Sequence, residues 1–388
     1  MKRSLFSLSF LLFILLVCTV LSSAHAQTFR IGVVLSQTGS ARLVGQAQAN
    51  AIGLLKNRLR DSSLAGTVNI IIRDDASNPV TVATVVQDLI ETEAVHALLC
   101  CTTEAAVKGI NDYLDRSQVL TLSLSKLPND VSDWLFSVRP DPERTLQSAV
   151  LQQVARGQRR FALMALDNDF GEEALGALSR LLSPEAGAEL VAQQRYRPDV
   201  TVLTPEALWT ATRLPDTVFV WGLPRDSALA FEALQARGYE KEVILDPTLL
   251  GPSRGGLDLF ALEGALFPVS PVRVAATLPQ TFPTATATGD YFRAMSTLYG
   301  PERIPLEGAF AYDALNLLQA AFEQAFTYGV PLDDTAAFRG ALRDAFIGMG
   351  PFTGASAVFD YREGDPIGVV PTSLVLAQVV EGKLEYRP

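Results

Sequence analysis

The sequence predicts an α/β chain of two Rossmann-like lobes with parallel-type sheets, three crossover hinge segments and a ligand cleft between the lobes. Short β-rich runs alternate with longer helical patterns through the first half, the signature of a parallel sheet. The same alternation starts again after Phe136-Ser137-Val138-Arg139-Pro140. Of the 388 residues, 26 read as an export segment, and the remaining 362 suffice for two full cores.

Residues 1–26 have the layout of a signal peptide. Lys2 and Arg3 form a basic start, Leu5 to Leu21 is apolar, and Ala24-His25-Ala26 is a small-x-small cleavage site that puts the mature start at Gln27. Ser7, Ser9 and Thr19 interrupt the apolar run, which argues against a permanent membrane helix. Cys18 raises a lipid-modified N-terminus as the rival, but Val17 stands where such a site wants a small residue. A periplasmic or secreted location follows.

In the first lobe, Phe29 to Leu35 reads as a strand ending at the Thr38-Gly39 turn, and a helix runs from about Gly45 to Leu59. Val68 to Arg73 is the second strand, closed by Asp74-Asp75. Asn78-Pro79 opens the next helix, where proline is tolerated in the first turn. Val95 to Cys100, a helix from Glu104 to Asp115, and the strand Val119 to Ser125 follow. In the second lobe, strands at Arg160 to Leu166, Glu189 to Arg195, Val218 to Trp221 and Val243 to Leu245 alternate with helices. Those helices lie at Arg144 to Ala155, Gly171 to Leu182, Pro205 to Thr212 and Ser227 to Arg237.

The tail adds helices at Asp290 to Leu298, Gly308 to Phe326 and Thr335 to Phe346, then strands with a turn at Glu363-Gly364-Asp365. If late segments complete both lobes, the chain crosses three times, near Val138 to Pro142, Phe267 to Pro271 and Gly348 to Phe352. Each stretch is rich in Pro or Gly, as hinge strands commonly are. One lobe is then 27–140 plus 269–349, the other 141–268 plus 350–388. The Thr-, Pro- and Ala-rich residues 271–289 are expected as a surface excursion.

Losing Lys2 and Arg3 from 32 basic residues leaves 30 against 42 acidic ones, a formal charge of −12. That balance argues against nucleic acid as a partner. After cleavage only Cys100 and Cys101 remain; adjacent cysteines rarely pair with each other because the ring they would close is strained, and whether these two stay free thiols is left open. With His96 the single mature histidine, no metal-ligand spacing exists and no cofactor is expected. Gly251-Pro252-Ser253-Arg254-Gly255 fits a nucleophile elbow, but no His follows Ser253 and Gly255-Gly256 is poor helix material. The chain is therefore not expected to be an enzyme.

In doubly wound sheets the carboxyl ends of strands open onto the ligand crevice. Those loops carry Thr102, Thr103, Ser123 and Ser125 in the first lobe, with Arg42 and Lys126 as possible receivers of a carboxylate or as solvated rim residues. In the second lobe they carry Phe170, Trp221, Leu223, Asp246 and Thr248. Thr102 and Thr103 precede a helix, whose free N–H groups favour an anion, although a Thr there is also an ordinary helix cap.

At these loops the chain resembles the periplasmic substrate-binding proteins of branched-chain amino acid ABC transporters. The matching pieces are IGVVLSQTGSARLVGQAQANA from Ile31, RDDASNP from Arg73, FSVRPDPERT from Phe136, DNDFGEEAL from Asp167, EGALFPVSP from Glu263 and GAFAYDALNLLQAAFEQA from Gly308. The resemblance implies hinge closure on a small-molecule solute and delivery to an ABC permease in the inner membrane, by a chain expected to work as a monomer. The family's helix-start Ser, which holds an amino-acid carboxylate, falls at Cys101, and its ammonium-pairing acid falls at Thr248, two residues after Asp246. Its aromatic walls fall at Val44, Phe170 and Leu223, and its first-lobe disulfide would need a Cys at Ser77. With Thr at the acidic position, a carboxylate or amide with an apolar body is expected rather than leucine. A ligand-sensing module for a signalling receptor and a non-transport accessory protein are the alternatives.

Overall fold

Strand β1 (Phe29–Leu35) is buried along nearly its whole length because it is paired on both edges and covered on both faces. The computed structural model describes residues 28–60, 67–183, 187–198, 200–251, 258–300 and 305–388. The export segment, its cleavage site and most of the Gly251–Gly255 motif lie outside them.

The first sheet joins β1 to β2 (Val68–Asp74), β3 (Ala97–Cys100), β4 (Leu120–Ser123) and β5 (Leu135–Ser137) in the order β2-β1-β3-β4-β5, all parallel. Its helices are α1 (Arg42–Arg60), α2 (Pro79–Glu91) and α3 (Glu104–Ser117). The second half repeats the scheme with α4 (Pro142–Ala155), β6 (Arg160–Leu166), α5 (Asp169–Leu181), β7 (Glu189–Tyr196) and α6 (Thr204–Thr212). β8 (Thr217–Trp221), α7 (Pro224–Gln235), β9 (Glu242–Leu245) and β10 (Leu266–Val269) continue it. Its parallel order β7-β6-β8-β9-β10 is the order of the first sheet again.

Both lobes turn from first strand to first helix by the same close approach. A Cβ on Gly45 would lie 2.0 Å from the Ser36 carbonyl oxygen, and one on Gly171 would lie 1.9 Å from that of Leu166. Only hydrogen fits there, so each helix begins tight against its strand end.

After β10 come α8 (Ala285–Tyr299), α9 (Leu306–Phe326) and α10 (Thr335–Gly348). Helix α9 packs on α1 and α10, and its Phe310, Leu317 and Phe322 fill the first core. Residues 271–289 are not a surface excursion. Val272 joins the first core, and Val274, Leu278 and Ala285 join the second, because this stretch bridges the two.

The third crossing also differs from expectation. The Gly348–Phe352 stretch leads only into the hairpin of β11 (Phe352–Thr353) and β12 (Val358–Phe359). Ala355, Phe359, Tyr361, Val369 and Leu374 still lie in the first core. The chain enters the second sheet at β13 (Val375–Val380), antiparallel to β10, and ends in β14 (Lys383–Tyr386). Residues 350–374 therefore pack with the first lobe rather than the second.

The first and second crossings are tied to the 350–374 stretch. Ser137 N donates to Pro366 O at 2.7 Å, Tyr361 OH donates to Ser137 O at 2.9 Å, and Ser270 Oγ donates to Ser356 O at 2.8 Å. Buried Asp313 accepts from Ala355 N and Ser356 N, both at 2.7 Å, tying the last loop to α9.

Gly45→Ala and Gly171→Ala should each lower stability by about 1–3 kcal/mol, since a backbone carbonyl must move to admit the methyl. Urea unfolding midpoints measure this. A midpoint equal to that of the wild type would contradict the account.

Candidate ligand cleft

The carboxyl ends of the two sheets leave a cavity of about 380 Å³ against the three crossings. Ser137, Arg139 and Pro140 reach it from the first crossing, Pro268 and Ser270 from the second, and Ile367 and Leu374 from the third.

Aromatic rings form much of the wall. Trp221, at the end of β8, stacks on Phe170 at 6.4 Å between centroids and 25° between planes. Phe310 enters from α9, with the Arg139 guanidinium 5.3 Å from its ring centre. Leu127 and Leu250 add apolar surface.

The charged groups sit in unlike surroundings. Asp246 is 1 % exposed; burial pushes its carboxyl up to about 6, although its oxygens accept from Thr248 N at 2.9 Å and Thr248 Oγ1 at 2.7 Å. Burial also lowers the Arg139 guanidinium from its ordinary value, with Glu307 opposing the shift. Burial raises Asp141, against the bond its carboxylate accepts from Arg144 N at the start of α4. Across the gap, Lys126 of the first lobe pairs with Glu173 of the second at 2.7 Å.

Of the residues expected at the site, Ser125, Phe170, Trp221, Asp246 and Thr248 line this cavity, as does Lys126. The others lie elsewhere. Thr102 Oγ1 accepts from Ser36 N at 3.0 Å and donates to Gln48 Oε1 at 2.7 Å, binding the tip of β1 to α1. Thr103 caps α3 by accepting from Ala106 N. Ser123 Oγ is spent on the Ser125 backbone, donating to its oxygen at 2.9 Å and accepting from its nitrogen at 3.1 Å. Val44 is half-buried on α1, Leu223 is 50 % exposed before α7, and Arg42 is exposed.

Cys101, expected at the ligand, lies away from the cavity. It is bonded to Cys100 as a disulfide, and both are fully buried in the apolar cluster between the first sheet and helices α2 and α3. Sequence reasoning passed over Arg139 and Phe310 as site residues. Arg139 stood in view as the one basic residue of the first crossing, whereas Phe310 sits in an apolar helix run with nothing to mark it.

A family model described as periplasmic binding protein matches residues 28–383. No curated protein matches the chain. A solved structure from Rhodospirillum rubrum, assigned to a branched-chain amino acid ABC transporter, superposes with a TM-score of 0.76 at 19% identity, covering 93% of this chain and 100% of that one. An extracellular ligand-binding receptor from Rhodopseudomonas palustris gives 0.69 at 18% identity, over 93% and 100% of the two chains. A leucine binding protein from Thermotoga maritima gives 0.61 at 17%, over 93% and 98%. At these identities the likeness bears on the fold.

The raised carboxyl of Asp246 has a sign that can be checked. Its pKa is about 6 when folded against an ordinary 3.8, so the folded state holds the proton more tightly than the unfolded chain. Its contribution is most favourable at low pH and falls as pH rises through that window, by up to about 1.4 kcal/mol per unit. Asp246→Asn should therefore flatten part of the decline in stability between those two values, read as melting temperature against pH. Parallel curves for wild type and variant would contradict it.

Proposed function

Because this chain belongs to the periplasmic binding protein family, we propose that it is the extracytoplasmic solute-binding receptor of an ABC uptake transporter. It closes by hinge rotation on a small amino-acid-like or carboxylate or amide solute and delivers it to a permease. The observation that carries this reading is the aromatic-walled cavity, which takes side chains from both lobes and from all three crossings.

Phe170 and Trp221 supply a flat apolar surface from the second lobe, and Phe310 faces the same space from α9. A solute held between them joins the lobes, so binding favours the closed arrangement by its differential affinity for that state. The Lys126–Glu173 pair spans the same gap and adds little by itself, since exposed ion pairs contribute about 0–1 kcal/mol.

A receptor role also suits His96. His96 lies in the core, where its Nδ1 accepts from Arg30 N at 3.0 Å and its Nε2 meets Leu332 O at 3.0 Å. Burial drives its pKa down to about 4, leaving it a neutral structural group away from the cavity. The solved relatives described as a leucine binding protein and as part of an ABC transporter support a transport role on the same fold.

Native mass spectrometry after incubation with a small-molecule cell extract, paired with small-angle scattering, tests this. The expected result is one bound solute per chain, released unchanged on denaturation, and a smaller radius of gyration when it is bound. A solute released as a different compound, or no adduct and no compaction, would overturn the receptor reading.

A further inference from the structure

Burying a cation is costly unless acceptors meet it, so charged groups on the cavity wall should have partners. Most do. Lys126 pairs with Glu173 at 2.7 Å, and Asp246 is bonded through both oxygens to Thr248. Arg273, also on the wall, is engaged within the protein. Arg139, half-buried, is the exception among the described lining cations. Its backbone bonds to Ser137, but no acceptor in the described residues is hydrogen-bonded to its guanidinium. Glu307 acts on it through space without an ion pair, and the Phe310 ring, 5.3 Å away, satisfies none of its N–H donors.

Trp221 stands on the opposite lobe and contributes its ring. It lines the same cavity and is 1 % exposed. The Arg139 guanidinium is thus the cavity donor that lacks an acceptor, while Asp246 already accepts from Thr248. A molecule that corrects this imbalance must bring acceptor oxygens, and negative charge suits the guanidinium. The rings of Phe170 and Phe310 and the side chains of Leu127 and Leu250 ask for an apolar body.

Resting on the receptor reading, we propose that the cavity takes an organic monoanion, a carboxylate on an apolar body, with the Arg139 guanidinium receiving the carboxylate. Phe170 and Trp221 supply apolar ring surface from the second lobe, so the ligand is gripped from both sides. Asp246, the buried acid of the wall, already accepts from Thr248 through both oxygens, and Glu104, Asp141, Glu173 and Glu307 are partly or fully exposed, so an α-ammonium is less well matched here than a carboxylate at Arg139. Amino acids therefore bind more weakly than the same skeletons without the amino group.

Calorimetric titration of wild type, Arg139→Gln and Arg139→Lys near neutral pH tests this with hydrocinnamate, isocaproate, their amides, phenylalanine and leucine. Wild type is expected to bind at least one acid about tenfold or more tightly than its amide and its amino acid. Arg139→Gln should lose about tenfold or more for that acid while holding the amide within about threefold, and Arg139→Lys should fall between. An amide or amino acid that binds as tightly as the acid would overturn the proposal, and so would full affinity in Arg139→Gln. If neither variant folds, as judged by circular dichroism, the acid-to-amide ratio of wild type decides alone. If no probe binds, the carboxylate assignment falls; a solute from cell extract detected by native mass spectrometry would then leave the receptor reading standing, and its absence would remove both.

Discussion

The hydrogen bond from Ser137 N to Pro366 O, 2.7 Å long, joins the first crossing to the stretch that leads into the third, and Tyr361 OH closes on Ser137 O from the same side. Ser270 on the second crossing is tied to Ser356 in the same way. These bonds tie the first and second crossings to the 350–374 stretch that packs on the first lobe. The cavity lies where the crossings meet the open strand ends of both sheets. Its contents depend on residues of the crossings as much as on the sheets.

Much of the fold could be read from the sequence because parallel strands, buried on both faces, must be apolar throughout. Runs such as Phe29 to Leu35 and Arg160 to Leu166 stand out between helices of different period. The two close strand-to-helix approaches at Gly45 and Gly171 reinforce that repeat. The third crossing was misplaced for a physical reason. Pro and Gly near residue 350 signal a turn, but not whether the chain after it changes lobe. That choice rests on burial of Phe359 and Tyr361 among the rings of Phe136 and Phe346, a long-range contact with no local signature.

The site divides along the same line. Strand-end reasoning leads to Ser125, Phe170, Trp221, Asp246 and Thr248, all on the cavity wall, because topology alone puts those tips at the crevice. It also leads to Thr102 and Ser123, which sit at tips but spend their hydroxyls on neighbouring backbone and side chains. Whether a tip residue faces a ligand or ties its own loop is a matter of side-chain partners, invisible in a string of residues. Arg139 and Phe310 come to the wall from a crossing and from a late helix, and only three-dimensional packing brings them together.

An experimental structure of the protein, crystallised after incubation with a small-molecule cell extract, tests the central claim most directly. The account predicts one compact molecule in the space beside the crossings, touching Phe170 and Trp221 on one side and Arg139 and Phe310 on the other. Strand tips that face apart, or side chains that fill the space completely, would contradict it.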